Sequence, residues 1–274
     1  MGTKQVHRTT SVDGTEIAGR VYGAGPPVVL VHGALADGES EWEALIPHLA
    51  DRHRCYVMST RGRGDSSDHP DHSPDRIVAD VAMFADSIGE TVRMVGVSGG
   101  GRHALGAVAR GPGDVDRLAV HEPAVFETMS DDVSARFWEI VDEMDHLSAQ
   151  GKDPEAAQTF FEYAANDEEL DALGDGEVLA AAARYVPVDL ADFRGIRTAE
   201  GAGPTSPSVL EQIRVPVLVT HGDRTALPDV PDSVDYVARH VTQAEVREIE
   251  GTGHLAHATH PEAVAEELRR FLDD

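Results

Sequence analysis

Cysteine, lysine and aromatic residues are rare in the sequence. Its 274 residues include one cysteine, Cys55, and aromatic residues make up 5%. Lysine occurs only as Lys4 and Lys152, so arginine supplies most of the positive charge. A single cysteine excludes an internal disulfide, and its position in the strand-like segment RCYVMST indicates a core thiol in a cytoplasmic protein.

Long apolar segments are also missing. Runs such as PPVVLV and VLAAAA are far too short to cross a bilayer. The first residues, MGTKQVHRTTSVDGT, lack the apolar centre of a signal peptide, and the sixth position is not the Ser or Thr of a myristoylation signal. We therefore expect a cytoplasmic protein with no membrane partner.

Positive charge is scarce relative to negative charge. The chain carries 49 acidic and 23 basic residues, a formal net charge of −26 at pH 7. Nucleic acids and anionic membranes bind basic faces, so neither is an expected partner. Two explanations of the acidic excess stay open. One is a salty cytoplasm, where a carboxylate-rich surface keeps a protein soluble, and the other is a bias in genomic composition.

What the sequence does contain is an alternation of short apolar runs and amphipathic segments. The runs at 26–32, 54–60, 92–98 and 215–221 have strand length and are largely apolar. Such runs are typical of strands buried on both faces. Helical spacing between them, for example over 42–50, predicts an α/β fold in which helices cover both faces of a mostly parallel sheet.

The strand pattern stops between residues 126 and 208. Three amphipathic segments with acidic first turns predict helices there. We expect a helical cap over 126–208, inserted between the sixth and seventh strands of a core formed by 1–125 and 209–274. The cap aromatics should mostly form its own core, with one or two walling an acyl pocket; they are Phe126, Phe137, Trp138, Phe160, Phe161 and Tyr163.

The pentapeptide GVSGG at 96–100 matches G-x-S-x-G and falls between a predicted strand and a predicted helix. A strand can turn sharply into a helix when the residues around Ser98 lack bulk, and the turn lifts the serine hydroxyl clear of the sheet. The next amide, at Gly99, lies at a helix N-terminus and can donate to an oxyanion. A glycine-rich strand-to-helix turn without a catalytic role is also consistent with this pentapeptide.

With these motifs the chain resembles the α/β-hydrolase superfamily over residues 14–272. LVHGALADGESEW resembles the segment after the third strand, RGRGDSSD the loop after the fourth, and GTGHLAHATHPE the loop that carries the base. The resemblance implies a cap-bearing, esterase-like enzyme with a serine nucleophile and no cofactor. It assigns His254 as the base and the Ala34 amide as the second oxyanion donor, beside Gly99.

Histidine suits that role because a serine hydroxyl is a weak nucleophile until a neutral imidazole accepts its proton. His257 and His260 lie near His254, but the His-x2-His-x2-His spacing puts no two ligands on one helical face, so we expect no metal. His32 and His221 are expected to hold loop backbone. Four others are predicted to be surface residues: His7, His69, His72 and His103.

The acid of the triad is not evident. In the superfamily it usually stands three residues beyond the glycine that ends the strand after the cap, and here that position is Thr225. Asp223 could serve in a shortened loop. Glu122 is favoured, because some relatives, such as haloalkane dehalogenases, place the acid at the end of the preceding strand. Asp229 and Asp232 are more distant alternatives, and a dyad without an acid is another.

These residues predict a serine hydrolase that cleaves a carboxylic ester or related acyl bond of a small molecule. Dehalogenase and epoxide hydrolase are disfavoured, because those relatives carry aspartate at the elbow. Hydrolysis of a C–C bond and perhydrolysis use the same groups. Two other classes stay open: a non-catalytic binding protein, and a cofactor-free oxygenase in which His254 abstracts a substrate proton while Ser98 only binds.

Overall fold

Eight strands form one sheet in the computed structural model, which describes residues 5–111, 114–174 and 176–273. The strands are β1 (Gln5–Thr10), β2 (Glu16–Gly23), β3 (Pro27–Val31), β4 (Arg54–Ser59), β5 (Val92–Val97), β6 (Val115–His121), β7 (Val217–Gly222) and β8 (Ala244–Ile249). Their order is β1-β2-β4-β3-β5-β6-β7-β8. Pairing is antiparallel for β1–β2 and β2–β4 and parallel for the others, which confirms the mostly parallel sheet.

The described residues also form helices between and beyond these strands, and none is long and apolar enough to cross a membrane. The α-helices are α1 (Gly38–Trp42), α2 (Ile46–Leu49), α3 (Pro74–Asp86), α4 (Ser98–Ala109), α5 (Asp131–Ser148), α6 (Asp153–Ala164), α7 (Asp167–Leu173), α8 (Glu177–Ala183), α9 (Val186–Thr198), α10 (Pro207–Leu210), α11 (Val230–His240), α12 (Ala256–Thr259) and α13 (Pro261–Leu272). A 3₁₀-helix covers Phe126–Thr128.

The core lies on both faces of the sheet, as the continuous apolar strands predict. Successive side chains of a strand point to opposite faces. Along β3, Val29 and Val31 join the cluster that also contains side chains of α3, α4 and α11. Val28 and Leu30 join the cluster on the other face, with side chains of α1, α2 and α13. Cys55 is a fully buried member of that second cluster, as predicted.

One predicted helix is interrupted. The segment 42–50 is not continuous, because α1 ends at Trp42 and α2 begins at Ile46. Pro47 lies in the first turn of α2, where a residue without an N–H is tolerated, whereas the middle of a longer helix would lose a hydrogen bond there. The break lets both Trp42 and Leu49 reach the core.

Helices α5–α9, called here the inserted helices, separate β6 from β7 in the chain. They share an apolar cluster that Leu35, from the loop after β3, also joins. The sequence predicted three helices in this stretch, and α7 and α9 were missed. Helix α9 buries Asp189 and Asp192 among the apolar residues of its inner face, and these charges interrupt the pattern by which an amphipathic helix is recognised.

Candidate active site

Ser98 stands at the junction of β5 and α4 with a φ of 52°, a left-handed conformation that is uncommon outside glycine. Its glycine neighbours allow the backbone to approach closely. A Cβ on Gly96 would lie 2.7 Å from the Gly100 carbonyl oxygen, and a Cβ on Gly100 would lie 2.2 Å from the carbonyl oxygen of His32. The geometry is therefore that of the sharp strand-to-helix turn that GVSGG predicts.

The loop after β3 borders Ser98. Gly33, Ala34 and Gly99 line the same cleft as Ser98, a space of about 590 Å³ that includes its open mouth. The next residue, Leu35, has a φ of 58°, and its N–H donates to Asp189 Oδ2 at 3.0 Å. A side chain of α9 thus holds the backbone on which the expected oxyanion donor Ala34 stands.

His254 and Glu122 meet beside this cleft. Nδ1 of His254 donates to Oε2 of Glu122 at 2.9 Å. Both side chains are buried, with relative exposures of 6% for His254 and 1% for Glu122. Glu122 directly follows β6 and has a φ of 40°, a strained value for a residue with a side chain.

Two further donors hold the Glu122 carboxylate. Gly222 N–H donates to Oε1 at 3.0 Å, and Thr225 Oγ1 donates to Oε2 at 2.8 Å. Burial raises the pKa of Glu122, but the hydrogen bond and charge of His254 outweigh it and lower that pKa to about 2. Burial likewise lowers the pKa of His254, and its hydrogen bond and attraction to Glu122 reverse the effect, so the pKa lies above its ordinary value.

The other expected acids lie elsewhere. Asp223 is exposed, and its Oδ1 accepts from Gly251 N–H at 2.6 Å. Asp232 is exposed in the first turn of α11. Asp229 is buried and lines a cavity of about 450 Å³ together with Glu122 and His254. The structure therefore brings Glu122 to His254, whereas Asp223 bonds the backbone of Gly251, three residues before His254 in the same loop.

Three adjoining cavities include Ser98 in their walls. One is the 590 Å³ cleft, one of about 450 Å³ reaches Glu122, and one of about 750 Å³ reaches His254 and His257. Phe160, from α6, lines all three, and Phe126 and Phe137 line two. Some of the aromatics expected in the cap thus wall the space around Ser98. Phe193, which the sequence did not single out, joins them.

An ion-pair network borders the 590 Å³ cleft, and it is the main feature that sequence reasoning missed. Arg63 Nη2 donates at 2.7 Å to both Asp189 Oδ1 and Asp192 Oδ2. Asp192 Oδ1 in turn accepts from His72 Nδ1 at 2.7 Å. A sequence signal existed, since two aspartates three residues apart interrupt an otherwise apolar helix face, but their partner lies far away in the chain.

The prediction of surface positions is wrong for His72 and His103. His72 is 7% exposed because Asp192 and Asp68 hold its two ring nitrogens, and the ion pairs raise its pKa despite burial. His103 is 9% exposed, and burial lowers its pKa to about 3. It faces the 590 Å³ cleft from α4. For His72 the sequence gave no sign of this burial, because its partner Asp192 lies 120 positions away in the chain.

Two other histidines near the site also have partners: His32 bonds a backbone N–H, and His257 pairs with a carboxylate. His32 Nε2 accepts from Thr60 N–H at 3.0 Å, so this residue holds loop backbone as predicted. His257 Nε2 pairs with the half-buried Glu41 at 3.0 Å. His257 therefore has a carboxylate partner of its own and lies in the wall of the cavity that it shares with His254.

Known proteins of one family are similar to this chain. A model of the alpha/beta hydrolase family matches residues 28–267. N-formylmaleamate deformylase of Pseudomonas putida is 33% identical over 109 residues, 39% of this chain and 40% of that enzyme's length. An uncharacterized carboxylesterase of Bacillus subtilis is 24% identical over 266 residues, 90% of this chain and 79% of that protein.

A solved structure agrees with the fold. An alpha/beta hydrolase from Sphaerobacter thermophilus superposes with a TM-score of 0.75 at 27% identity, covering 97% of this chain and 100% of that one. The strand order, the turn at Ser98 and the family match over most of the chain lead to one conclusion. The protein belongs to the alpha/beta hydrolase family.

Proposed function

We propose that the protein is a serine hydrolase that cleaves a carboxylic ester or a related acyl bond of a small molecule without a cofactor. The observation that carries the proposal is the hydrogen bond from His254 Nδ1 to the buried Glu122, beside cavities that also contain Ser98. With Nδ1 occupied by the carboxylate, the imidazole has Nε2 free to accept the proton of a serine hydroxyl.

In the proposed reaction Ser98 Oγ attacks the substrate carbonyl while His254 Nε2 takes the hydroxyl proton. The amides of Ala34 and Gly99 donate to the oxyanion of the tetrahedral intermediate. His254 then returns the proton to the leaving group, and an acyl-enzyme forms on Ser98. Water, deprotonated by the same imidazole, attacks the ester carbonyl, and His254 reprotonates Ser98 as the acid product departs.

Glu122 supplies the electrostatic part of this mechanism. The carboxylate fixes the tautomer of His254 and stabilises the imidazolium that forms in each step. Its low pKa, due to its hydrogen bond with His254 and the charge of that ring acting against burial, keeps it ionised at every pH where the imidazole can act as a base. Glu122 is therefore the acid that we assign, with Asp223 as the alternative.

Two of the relatives support an acyl bond as the target. One carries the name of a carboxylesterase and matches most of this chain, and the other is named a deformylase of N-formylmaleamate. Perhydrolysis and C–C hydrolysis use the same residues, whereas the oxygenase and binding-protein alternatives have no observation of their own in their favour.

We further propose that residues 126–208 act as the cap. Phe137 of α5, Phe160 of α6 and Phe193 of α9 line the 590 Å³ cleft at Ser98, so the inserted helices form part of the wall that a substrate would contact. Substrate selection would then lie largely in these helices, while the residues of the reaction lie at the carboxyl ends of β5 and β6 and in the loop after β8.

The test is hydrolysis of 4-nitrophenyl butyrate at low and high salt by the wild-type protein and by Ser98→Ala. We expect turnover that is lost in Ser98→Ala and kept in Ser208→Ala, a matched change at an exposed serine. Labelling by a fluorophosphonate should follow the same pattern. Turnover that survives the loss of Ser98, or neither turnover nor labelling at either salt level, would contradict the proposal.

A further inference from the structure

Arg102 follows Ser98 by one turn of α4 and lines the same 590 Å³ cleft. Its side chain is only 5% exposed. Within residues 5–111, 114–174 and 176–273, no hydrogen-bond acceptor meets its Nε or Nη1. A buried charged donor without an acceptor is strongly unfavourable, so a cleft that presents one is suited to a ligand that supplies the missing acceptor.

The guanidinium keeps its charge in this environment. Burial lowers the pKa of Arg102 to about 10, partly opposed by the charge of Glu127, so the group is cationic at neutral pH. Glu127 attracts the guanidinium through its charge, but among the described residues no hydrogen bond joins the two, and Glu127 Oε2 accepts from Thr205 Oγ1 at 2.7 Å. The ring of Phe126 lies 5.3 Å from the guanidinium carbon and stabilises the cation through a cation–π interaction. The ring is not a strong hydrogen-bond acceptor, so it does not satisfy the guanidinium N–H groups.

Arg63 faces the same cleft as Arg102. The two arginines differ in their partners, and this difference leaves Arg102 as the cation that a ligand can bind. Arg63 Nη2 is shared by Asp189 and Asp192, which offset its charge, although its Nε lacks a partner. Those two carboxylates also line the cleft and would repel an anion if they were unpaired. Arg63 and His72 pair with them, and the charge of Arg102 remains for a ligand.

The chemistry of the cleft favours a carboxylate on a short apolar chain. A guanidinium N–H donates a charge-assisted hydrogen bond to a carboxylate oxygen, and Nε and Nη1 of Arg102 are each available to do so. Apart from the polar residues named above, the wall consists largely of alanine and aromatic side chains, including Ala124, Phe137 and Phe193. Ser98 and Arg102 are four residues apart in α4, so they lie on the same face of the helix and both border the cleft.

We propose that Arg102 binds a free carboxylate of the substrate, and that the site takes monoesters or monoamides of short dicarboxylic acids. The identity of the scissile bond rests on the proposed function. The binding of a carboxylate by Arg102 requires no turnover, so the two can be tested separately.

The first experiment measures selectivity. The kcat/KM for mono-4-nitrophenyl adipate is compared with that for 4-nitrophenyl hexanoate, which has the same chain length and no charge, with Ser98→Ala as the blank. The wild-type protein should prefer the anionic ester, and Arg102→Gln should lower the ratio about tenfold or more, since a charge-assisted hydrogen bond is lost. Arg102→Lys should keep part of it. Arg110→Gln, at the exposed end of α4, should leave it unchanged.

The second experiment measures binding without catalysis. Calorimetry on Ser98→Ala should detect adipate but not its dimethyl ester, and the added Arg102→Gln change should weaken adipate binding about tenfold or more. The ligand comparison on Ser98→Ala stands even where Arg102→Gln fails to fold. Equal binding of adipate and its ester, no binding of adipate, or binding that is insensitive to Arg102 would overturn the proposal.

The two experiments separate this inference from the proposed function. Hydrolysis of the hexanoate ester that depends on Ser98 but shows no preference for the anionic ester refutes the carboxylate subsite and leaves the hydrolase intact. Binding of adipate through Arg102, with no turnover of either ester and no labelling of Ser98, refutes the hydrolase and leaves the subsite intact.

Discussion

Thr225 donates a 2.8 Å hydrogen bond to the oxygen of Glu122 that also bonds His254. The threonine occupies the place where the sequence resemblance leads one to look for the acid, three residues beyond Gly222. Its hydroxyl instead supports a carboxylate that comes from the neighbouring strand. The position is thus still part of the site, with a donor in place of a charge.

Removal of this donor should weaken catalysis without abolishing it. Thr225→Val keeps the shape of the side chain and takes away one of the hydrogen bonds to the ionised Glu122. A hydrogen bond to a charged group contributes about 1.5–3 kcal/mol, so we expect kcat/KM for 4-nitrophenyl butyrate to fall roughly 10- to 100-fold. Thr225→Ser should stay close to wild type. Equal rates in Thr225→Val and wild type would show that the hydroxyl is not needed.

The choice between the two acids leads to a direct comparison. Glu122→Gln should lower kcat by about 10³–10⁴, the size of effect seen when a triad acid becomes an amide and the imidazole loses its tautomer preference. Asp223→Asn should keep most of the activity, because Asp223 bonds Gly251 N–H instead of the imidazole. Steady-state kinetics with both variants decide the matter, and the reverse pattern would transfer the role to Asp223.

The pH profile should have its acid limb at an unusually high pH. The reaction needs neutral His254, and attraction to Glu122 overcomes burial and raises the pKa of His254 above its ordinary 6.5. The kcat/KM should therefore fall as the pH drops through a value above 6.5. In Glu122→Gln the main interaction that opposes burial is lost, and the attraction of Glu169 and Glu41 remains, so the pKa of His254 should fall and the acid limb should move to lower pH. If the acid limb of the pH profile stays at the same pH in Glu122→Gln, the limb reports the titration of a group other than His254.

Loss of Arg63 should be strongly destabilising. Arg63→Met leaves Asp189 and Asp192 buried without their cation, and breaking a buried ion pair on one side costs about 3–5 kcal/mol. Urea unfolding measures the change in the free energy of unfolding. Arg76→Met removes an exposed pair with Asp71 and should cost no more than about 1 kcal/mol. Similar values for the two variants would contradict the importance of this network.

Salt should stabilise the folded protein. A formal net charge of −26 makes the compact state repel itself, and ions screen that repulsion within about 10 Å at 0.1 M salt. We expect Tm to rise as KCl is added, and calorimetric scans can follow it. KCl is preferred to a sulfate, which would stabilise through exclusion from the surface. A Tm that is constant or falls with KCl would show that self-repulsion is unimportant.

The sequence by itself determined the architecture and the nucleophile's turn, because both depend on local properties. Apolar runs of strand length specify buried parallel strands, and these were found where they were expected. The glycines around Ser98 are needed by the close approach of α4 to the ends of β3 and β5, and that requirement can be read from five letters. The resemblance to the alpha/beta hydrolases added the order of the remaining motifs.

Only the tertiary structure decided which groups meet. The parallel pairing of β6 with β7 sets Glu122 beside Gly222 and Thr225, and it brings the carboxylate to His254 across 132 positions of sequence. The burial of Arg102 depends likewise on elements far apart in the chain, and so does the lack of an acceptor for its Nε and Nη1 among the residues that the structure describes. Local pattern cannot specify such contacts, because the strength of a charge interaction depends on partners and burial that only packing supplies.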